Sequence, residues 1–257
     1  MKIESLQNPG IKQLIKLQQK SRERKSSSLF VNEGLQENRL ALDSGFVPKK
    51  FYLSEGIYDY SLKLPDAEIY AVADSLFEKI AYRGTTGGII GIYESPKFSL
   101  EQIELSDNPL IVILEAVEKP GNLGAVLRSC DGAAVDLLIV CDPLTDFFNP
   151  NVIRSSVGTV FSNQILAESK EKVVEWLKNN KIQIVSTFLR DNTISLYDAD
   201  LKTQSAIVFG TESSGLSDFW AEQSDVLIKI PMKGRVDSLN VSNAAAICIY
   251  EAVRQRS

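Results

Sequence analysis

Five apolar runs of strand length in the second half of the chain restrict the fold most strongly. They are residues 110–114 (LIVIL), 137–140 (LLIV), 182–185 (IQIV), 206–209 (AIVF) and 226–230 (VLIKI), with helical patterns between or after them at 125–133, 171–179 and 241–254. Strands that are apolar along most of their length and alternate with helices are typical of a parallel sheet covered on both faces. We therefore predict a mainly parallel α/β sheet with helices on both faces for residues 108–257.

The first half carries shorter patterns. Helices are predicted at 10–20 and 35–43, strands at 29–31, 50–53, 69–72 and 89–93, and a Ser-rich basic link at 21–28. The stretch from 95 to 109 holds two prolines among polar turn formers and is the best candidate for a domain boundary. A chain of 257 residues can hold two domains. We predict a smaller α/β domain over residues 1–100, followed by the larger sheet domain at 108–257.

Composition excludes several classes of protein. No apolar run reaches 18 residues and the first residues lack an apolar signal segment, so we expect a cytoplasmic protein without a membrane span. The chain contains no histidine, which excludes Ser-His-Asp and Cys-His catalysis and every histidine-ligated metal site. Cys130, Cys141 and Cys248 are odd in number and widely spaced. They predict small core residues, with no disulfide framework and no metal.

Charge is unevenly distributed along the chain. The net charge is −5, yet residues 1–100 hold 14 basic and 12 acidic residues, against 14 and 21 in the remainder. Six basic residues cluster within 11–25: Lys12, Lys16, Lys20, Arg22, Arg24 and Lys25. This cluster indicates either a solvated helix face or a surface for RNA phosphates. Residues 83–88 (RGTTGG) similarly indicate either a Gly-rich hairpin or a backbone clasp for phosphate.

A first motif, residues 115–129, joins the strand at 110–114 to a helix. Ligands of open α/β sheets bind beyond the carboxyl ends of strands, so Asn122 and Arg128 leave the strand where a substrate could be met. The segment has neither the GxGxxG nor the GxxxxGK[ST] pattern, and so predicts neither a dinucleotide site nor a P-loop. The alternative is structural, with Asn122 as a helix N-cap and Arg128 as a surface charge.

Two further motifs follow later strands. In FGTESSGL at 209–216, Gly210 allows close backbone approach to a ligand and Glu212 adds a carboxylate. In the segment 230–246, a strand passes through a Gly loop into the last helix, where Ser238 and Asn240 are placed to cap it. Three alanines at 244–246 would suit a dimer interface or a tightly threaded chain. Alone, each segment is a common turn or an ordinary capped helix.

Together, NLGAVLR at 122–128, FGTESSGL at 209–216 and IPMKGRVDSLNVS at 230–242 resemble the SpoU (TrmH-like) RNA 2′-O-ribose methyltransferases of the SPOUT superfamily. The resemblance covers residues 109–255, and FVNEG at 30–34 is similar to the start of the substrate-binding domain that many members carry. It implies a trefoil-knotted catalytic domain, a homodimer formed through that domain, and S-adenosylmethionine bent in the knot. The matching cofactor positions are Gly210, Ile230 and Leu239, with Thr187 as a weaker candidate.

The resemblance also implies a reaction, in which a ribose 2′-hydroxyl attacks the sulfonium methyl group. The family's catalytic arginine maps to Arg128, but a guanidinium holds its proton too tightly to act as a base. We therefore expect Arg128 to bind the 3′ phosphate and stabilise alkoxide charge, while a phosphate oxygen or Glu212 takes the proton. Asn122, Ser238 and Asn240 would orient these groups. The resemblance further implies that the amino-terminal domain binds RNA, with Lys12, Lys16, Arg22, Arg24 and Lys25 as the contacts.

The sequence leaves the substrate open. Ribosomal and transfer RNA are both methylated within the family, and the amino-terminal domain favours 23S ribosomal RNA. A base methyltransferase would need an activated nucleophile or a flipped-base pocket, and Cys130 has no basic partner nearby in the sequence. A non-catalytic RNA-binding module for ribosome assembly stays possible, although Asn122, Arg128, Glu212, Ser238 and Asn240 are all present.

Overall fold

The computed structural model describes residues 2–82, 87–190, 192–211 and 215–257. The chain forms two compact units, one of Met1–Lys97 with Asp146–Ser162 and the other of Phe98–Thr145 with Asn163–Ser257. The division at Lys97 falls inside the predicted boundary segment. The predicted domain range 108–257 stays a prediction, and within it Asp146–Ser162 clusters with the first unit. Glu212 and most of the predicted hairpin at 83–88 lie outside the described residues.

The first unit is a four-stranded sheet with helices. Its elements within residues 1–97 are α1 (Pro9–Gln19), α2 (Ser21–Ser27), β1 (Leu29–Glu33), α3 (Leu35–Asp43), β2 (Pro48–Ser54), β3 (Glu68–Val72), α4 (Asp74–Ile80) and β4 (Ile89–Glu94). The strand order is β1-β4-β2-β3, in which only β2 and β3 are parallel neighbours. This agrees with the predicted small α/β unit, to which the structure adds α4 and α2.

The remaining elements continue in chain order. They are β5 (Leu110–Glu115), α5 (Pro120–Gly132), β6 (Leu137–Cys141), α6 (Pro150–Ser155), β7 (Ile165–Glu168), α7 (Lys170–Asn179), β8 (Gln183–Thr187), β9 (Ile194–Ser195), β10 (Ser205–Phe209), α8 (Asp218–Gln223), β11 (Val226–Lys229) and α9 (Val241–Arg256), with short 3-10 helices at Leu100–Gln102 and Leu196–Asp198. Of these, α6 belongs to the first unit. The described strands of the second unit form one sheet in the order β7-β6-β5-β10-β8-β11-β9.

Every pair of neighbouring strands in this second sheet is parallel. All residues of β5, β6 and β10 are buried, which is why the sequence shows unbroken apolar runs there rather than alternation. The predicted parallel sheet is therefore confirmed, while the trefoil knot stays a prediction. The structure adds β7 and β9, which are short and partly exposed and so leave little hydrophobic signal.

The three cysteines are free and buried, which confirms them as small core residues. Burial raises the pKa of each thiol above its ordinary value, to about 12 for Cys248. The raised pKa keeps these thiols protonated at neutral pH and makes them poor nucleophiles.

The predicted link at 21–28 is wrong, because Ser21–Ser27 is the helix α2, which ends at Ser28 in the left-handed region with φ 53°. The prediction of Arg24 as an RNA contact is wrong as well. Its side chain is 4% exposed, and its guanidinium donates to the Asp146 carboxylate at 2.7 and 3.2 Å and to the Leu17 carbonyl at 2.6 Å. A buried charge must be paired, and these bonds occupy the groups that would have met a phosphate.

The segment Asp146–Ser162 is held in the first unit by aromatic packing in addition to this ion pair. Phe148 and Phe161 stack on Phe30, with ring centroids 4.3 and 5.8 Å away, and both meet Phe46 edge-on. Gly158 has φ +83°, and a Cβ there would lie 2.9 Å from Leu40 Cδ1. The segment therefore contributes to the core of the first unit.

We expect Arg24→Met to lower the free energy of unfolding by about 3 kcal/mol, because it leaves the Asp146 carboxylate without its buried partner. Lys25→Met, at an exposed position of the same helix, should change it by less than about 0.5 kcal/mol. Equilibrium denaturation in urea measures both. Equal, small losses would contradict a structural role for Arg24.

Candidate active site at the carboxyl edge of the parallel sheet

A cavity of about 510 Å³ lies where β8, β10 and β11 end. Thr187, Gly210, Ile230 and Leu239, the four positions predicted for a cofactor, all line it, as does Ser238. They come from three separate parts of the sequence, and the parallel sheet brings them together because its strands end at one edge. The Thr187 hydroxyl donates to the Val208 carbonyl at 3.0 Å and so helps fix the wall.

The backbone at Gly210 has no room for a side chain. A Cβ there would lie 2.1 Å from the Gly215 carbonyl carbon and 2.2 Å from the Leu216 nitrogen. Thr211 and Gly215 also exchange two backbone hydrogen bonds, at 3.2 and 3.0 Å, and Gly215 has φ +69°. The chain after β10 therefore returns over the end of its own strand, which requires glycine at this point.

A second cavity of about 190 Å³ adjoins the first. Gly210, Thr211 and Val241 line both cavities, while Glu118 and Asn122 line the smaller one. The two spaces thus share part of their wall, which is formed by the residues directly after β10 and the first residue of α9.

Asn122 and Asn240, 118 positions apart, meet through a side-chain hydrogen bond in which Asn240 Nδ2 donates to Asn122 Oδ1 at 3.2 Å. Asn240 also caps α9, because its Oδ1 accepts from the Ser242 backbone at 3.0 Å. The predicted cap by Asn240 is therefore confirmed. One amide both begins the last helix and ties it to the first motif.

The structure excludes the N-cap alternative for Asn122 and overturns the predicted cap by Ser238. α5 begins at Pro120 with Lys119 as its N-cap residue, so Asn122 lies in the first turn and is not the N-cap. Ser238 does not cap α9; its hydroxyl donates to Asp237 Oδ1 at 3.1 Å, and the residue lines the larger cavity. Placing Asn122 inside the helix directs its amide toward Asn240 rather than toward its own backbone.

Arg128 is exposed on α5 and lines neither of these two cavities as the described residues form them. It lies six positions after Asn122, which puts the two side chains about 120° apart around the helix. α5 packs beside α9, and a Cβ at Gly132 would lie 3.1 Å from the Tyr250 hydroxyl. The structure therefore joins Asn122 to the cavities and leaves Arg128 on a different face of the same helix.

Sequence reasoning missed two charged features of the site. Arg190 and Asp218 both line the larger cavity and form an ion pair, and the Arg190 guanidinium lies 5.0 Å from the centre of the Phe188 ring. Glu115, the last residue of β5, lines the smaller cavity with its carboxylate buried. A charged residue at the end of an otherwise apolar strand was the available signal for Glu115. Loop residues such as Arg190 carry no comparable pattern.

In the described ranges, none of the helices combines the length and hydropathy needed to cross a lipid bilayer.

Residues 109–250 match the SpoU rRNA Methylase family, and residues 8–91 match the MRM3-like substrate binding domain. The 23S rRNA (uridine(2479)-2′-O)-methyltransferase of Streptomyces viridochromogenes is 29% identical, covering 88% of this chain and 83% of that protein. The 23S rRNA (guanosine(2553)-2′-O)-methyltransferase RlmP of Bacillus subtilis is 27% identical, covering 96% and 97%.

Two solved structures are similar to this chain over nearly its full length. A crystal structure described as an RNA 2′-O ribose methyltransferase is 35% identical with a TM-score of 0.85, covering 100% of this chain and 99% of that one. The SpoU methyltransferase AviRb from S. viridochromogenes, in complex with the cofactor AdoMet, is 27% identical with a TM-score of 0.88, covering 97% and 99%. The catalytic motifs, the parallel sheet and these matches lead to one assignment: the chain belongs to the SpoU rRNA methylase family.

Proposed function

We propose that this protein is an S-adenosylmethionine-dependent methyltransferase that acts on a ribose 2′-hydroxyl of 23S ribosomal RNA. The observation that carries the proposal is the close approach of Gly210 to Gly215 and Leu216, which we call the glycine cradle. It forms part of the wall of the larger cavity, and Gly210 also lines the smaller cavity, as does Asn122. The named activities of the relatives support ribosomal RNA as the substrate, and transfer RNA is the alternative. Such a substrate also favours a cytoplasmic location.

The larger cavity fits the cofactor. Its volume of about 510 Å³ lies within the range of small-molecule sites. Ile230 and Leu239 offer apolar surface, and the closely packed backbone of Gly210, Gly215 and Leu216 forms another part of the wall. Thr187 completes this set. When bound, S-adenosylmethionine supplies an electrophilic methyl group on a sulfonium sulfur, and the departing thioether needs no proton.

The smaller cavity suits the target ribose. In the reaction a bond forms between the ribose 2′-oxygen and the methyl carbon, the methyl–sulfur bond breaks, and the hydroxyl proton must be accepted. Most of the work is therefore alignment of the attacking oxygen. Asn122 is held by Asn240 at 3.2 Å and can bind a ribose hydroxyl in a fixed direction. Ser238, at the wall of the larger cavity, is placed to help orient the substrate.

Arg128 contributes charge and a planar pair of donors for a phosphate, rather than acting as the base. We propose that it serves a site completed across a homodimer, since it lines neither of the two cavities formed by the described residues of its own chain. The neighbouring helix α9 exposes Ile247 and Tyr250, which are suited to an interface between copies. Glu212 or a phosphate oxygen is the proposed proton acceptor.

We expect Arg128→Ala to slow methyl transfer at least about 100-fold, because a preorganised donor to developing negative charge is lost. Arg128→Lys keeps the positive charge but loses the paired donors of the planar guanidinium, and methyl transfer should remain at least about tenfold slower than in the wild type. The measurement is single-turnover transfer of labelled methyl from S-adenosylmethionine into ribosomal RNA lacking the modification, recovered as 2′-O-methylnucleoside. Lys202→Ala, which removes another exposed cation of the same unit, should stay near wild type.

Each outcome has a distinct meaning. Wild-type rates for Arg128→Ala would remove its catalytic role, and label recovered only in transfer RNA would keep the reaction and overturn the substrate. Mixing Arg128→Ala subunits with Asn122→Ala subunits tests the shared site. Activity should return if Arg128 of one copy serves Asn122 of the other, and it should stay absent if each chain is self-sufficient.

RNA binding is proposed for the exposed basic face of the first unit. Lys12 and Lys16 are exposed on α1, four residues apart and therefore on the same face, whereas Ile11, Leu14 and Leu17 are buried. Arg22 and Lys25 are exposed on α2. Because Arg24 is paired with Asp146, the proposed surface consists of the other four basic residues.

We expect the double variant Lys12→Gln/Lys16→Gln to weaken RNA binding and to lower the slope of log affinity against log salt by about 1.5, since two phosphate contacts would be lost. Affinity for S-adenosylmethionine should not change. Filter binding at a series of salt concentrations measures the slope. Lys63→Gln/Lys79→Gln, at exposed lysines elsewhere in the unit, is the control of equal charge, and an equal drop in slope there would refute a localised surface.

A further inference from the structure

Glu115 is a buried carboxylate to which the proposed reaction gives no role. It is the last residue of β5, is 7% exposed, and stands beside the cavity that holds Asn122. A carboxylate is rarely withdrawn from water unless it is paired and hydrogen-bonded, because its desolvation is costly. Its contacts therefore indicate what this charge is for.

Both carboxylate oxygens bind the same residue, Ser217. The Ser217 backbone nitrogen donates to Oε2 at 2.8 Å and the Ser217 hydroxyl donates to Oε1 at 2.6 Å. Lys170, the first residue of α7, approaches Oε1 at 3.4 Å, and its ammonium lies 5.2 Å from the centre of the Phe219 ring. Two charge-assisted bonds to one residue fix its position more firmly than neutral bonds would.

Ser217 is also the N-cap residue of α8, yet its hydroxyl makes no capping bond to that helix. Serine at this position usually accepts from the backbone of the first turn and stabilises the helix. Here the hydroxyl donates to Glu115 instead. The local sequence thus forgoes a capping bond in favour of one to a residue 102 positions away.

The bonds to Ser217 hold the chain directly after the two residues that approach Gly210. Those residues are Gly215 and Leu216, and Gly215 is also paired with Thr211 through two backbone hydrogen bonds. Gly210, Thr211, Gly215 and Leu216 all line the larger cavity. The backbone pair joins Gly215 to Thr211, and Glu115 holds Ser217 two residues farther along the chain.

We infer that Glu115 is a positioning residue for cofactor binding, which acts through Ser217 by holding Gly215 and Leu216 against the end of β10. This inference rests on the proposed function, because it takes the larger cavity as the S-adenosylmethionine site. The first motif thereby acts on both the ribose and the cofactor. Asn122 binds the ribose, and Glu115 positions the glycine cradle beside the cofactor.

The test is calorimetric titration of S-adenosylmethionine into the full chain at a temperature well below unfolding. Glu115→Gln should raise Kd about tenfold or more, as expected from the loss of a charge-assisted hydrogen bond. Ser217→Ala should act in the same direction, and Ser217→Thr, which keeps the hydroxyl, should restore affinity. The double variant Glu115→Gln/Ser217→Ala should lose little more than the weaker-binding single variant, because both remove one contact. Glu175→Gln, an exposed carboxylate on α7, is the matched control.

A purely structural role predicts a different pattern. Glu115→Gln and Ser217→Ala would then lower the melting temperature while the folded proteins bind S-adenosylmethionine with wild-type Kd, and that result would overturn the inference. If Glu115→Gln does not fold, the Ser217 pair decides the question. Failure of the wild type itself to bind S-adenosylmethionine would instead refute the proposed function, and the inference would fall with it.

Discussion

The catalytic unit depends on a single close approach of backbone to backbone, between Gly210 and the segment Gly215–Leu216. β10 is the middle strand of the seven in the described sheet, so a chain that turns back over its end does so at the centre of the carboxyl edge. The close approach leaves no room for a Cβ at Gly210, and Gly210 lies in the wall of both cavities. Both proposed binding spaces therefore arise from one constraint on local geometry.

Long-range hydrogen bonds hold the other motifs against this turn. Asn240 ties the start of α9 to Asn122, and Glu115 ties the end of β5 to Ser217. These partners are more than 100 positions apart in the sequence. The site is thus assembled by a few polar contacts between segments that the parallel sheet has already brought to one edge. Alignment is what methyl transfer from a sulfonium requires most, since its leaving group needs no acid.

The sequence predicted the parallel sheet because burial on both faces leaves unbroken apolar runs, as in β5 and β6. The resemblance of the motifs to a known family predicted the residues that line the larger cavity. These residues lie close together because the carboxyl ends of parallel strands lie at one edge of the sheet. The sequence did not predict the pairing of Arg24 with Asp146, because an arginine in a basic run has the same local pattern whether it meets a phosphate or a distant carboxylate. The placement of Asp146–Ser162 in the first unit was not predicted for a related reason. The stacking of Phe148 on Phe30 is a tertiary contact, which leaves no periodic pattern in the sequence. The hydroxyl bonds of Ser238 and Ser217 were also not predictable from local sequence. Each serine stands near the start of a helix, but its hydroxyl donates to a carboxylate, that of Asp237 or that of Glu115, instead of capping the helix.

The cradle at Gly210 is proposed to form the S-adenosylmethionine site. The most direct measurement is calorimetric titration of S-adenosylmethionine into Gly210→Ala, compared with Ser75→Ala at an exposed position of α4 in the first unit. We expect Gly210→Ala to stay folded but to lose at least about tenfold in affinity, because the added methyl group must displace the backbone of Gly215. Ser75→Ala should bind like the wild type. Undiminished affinity in Gly210→Ala would contradict a cofactor site at the cradle.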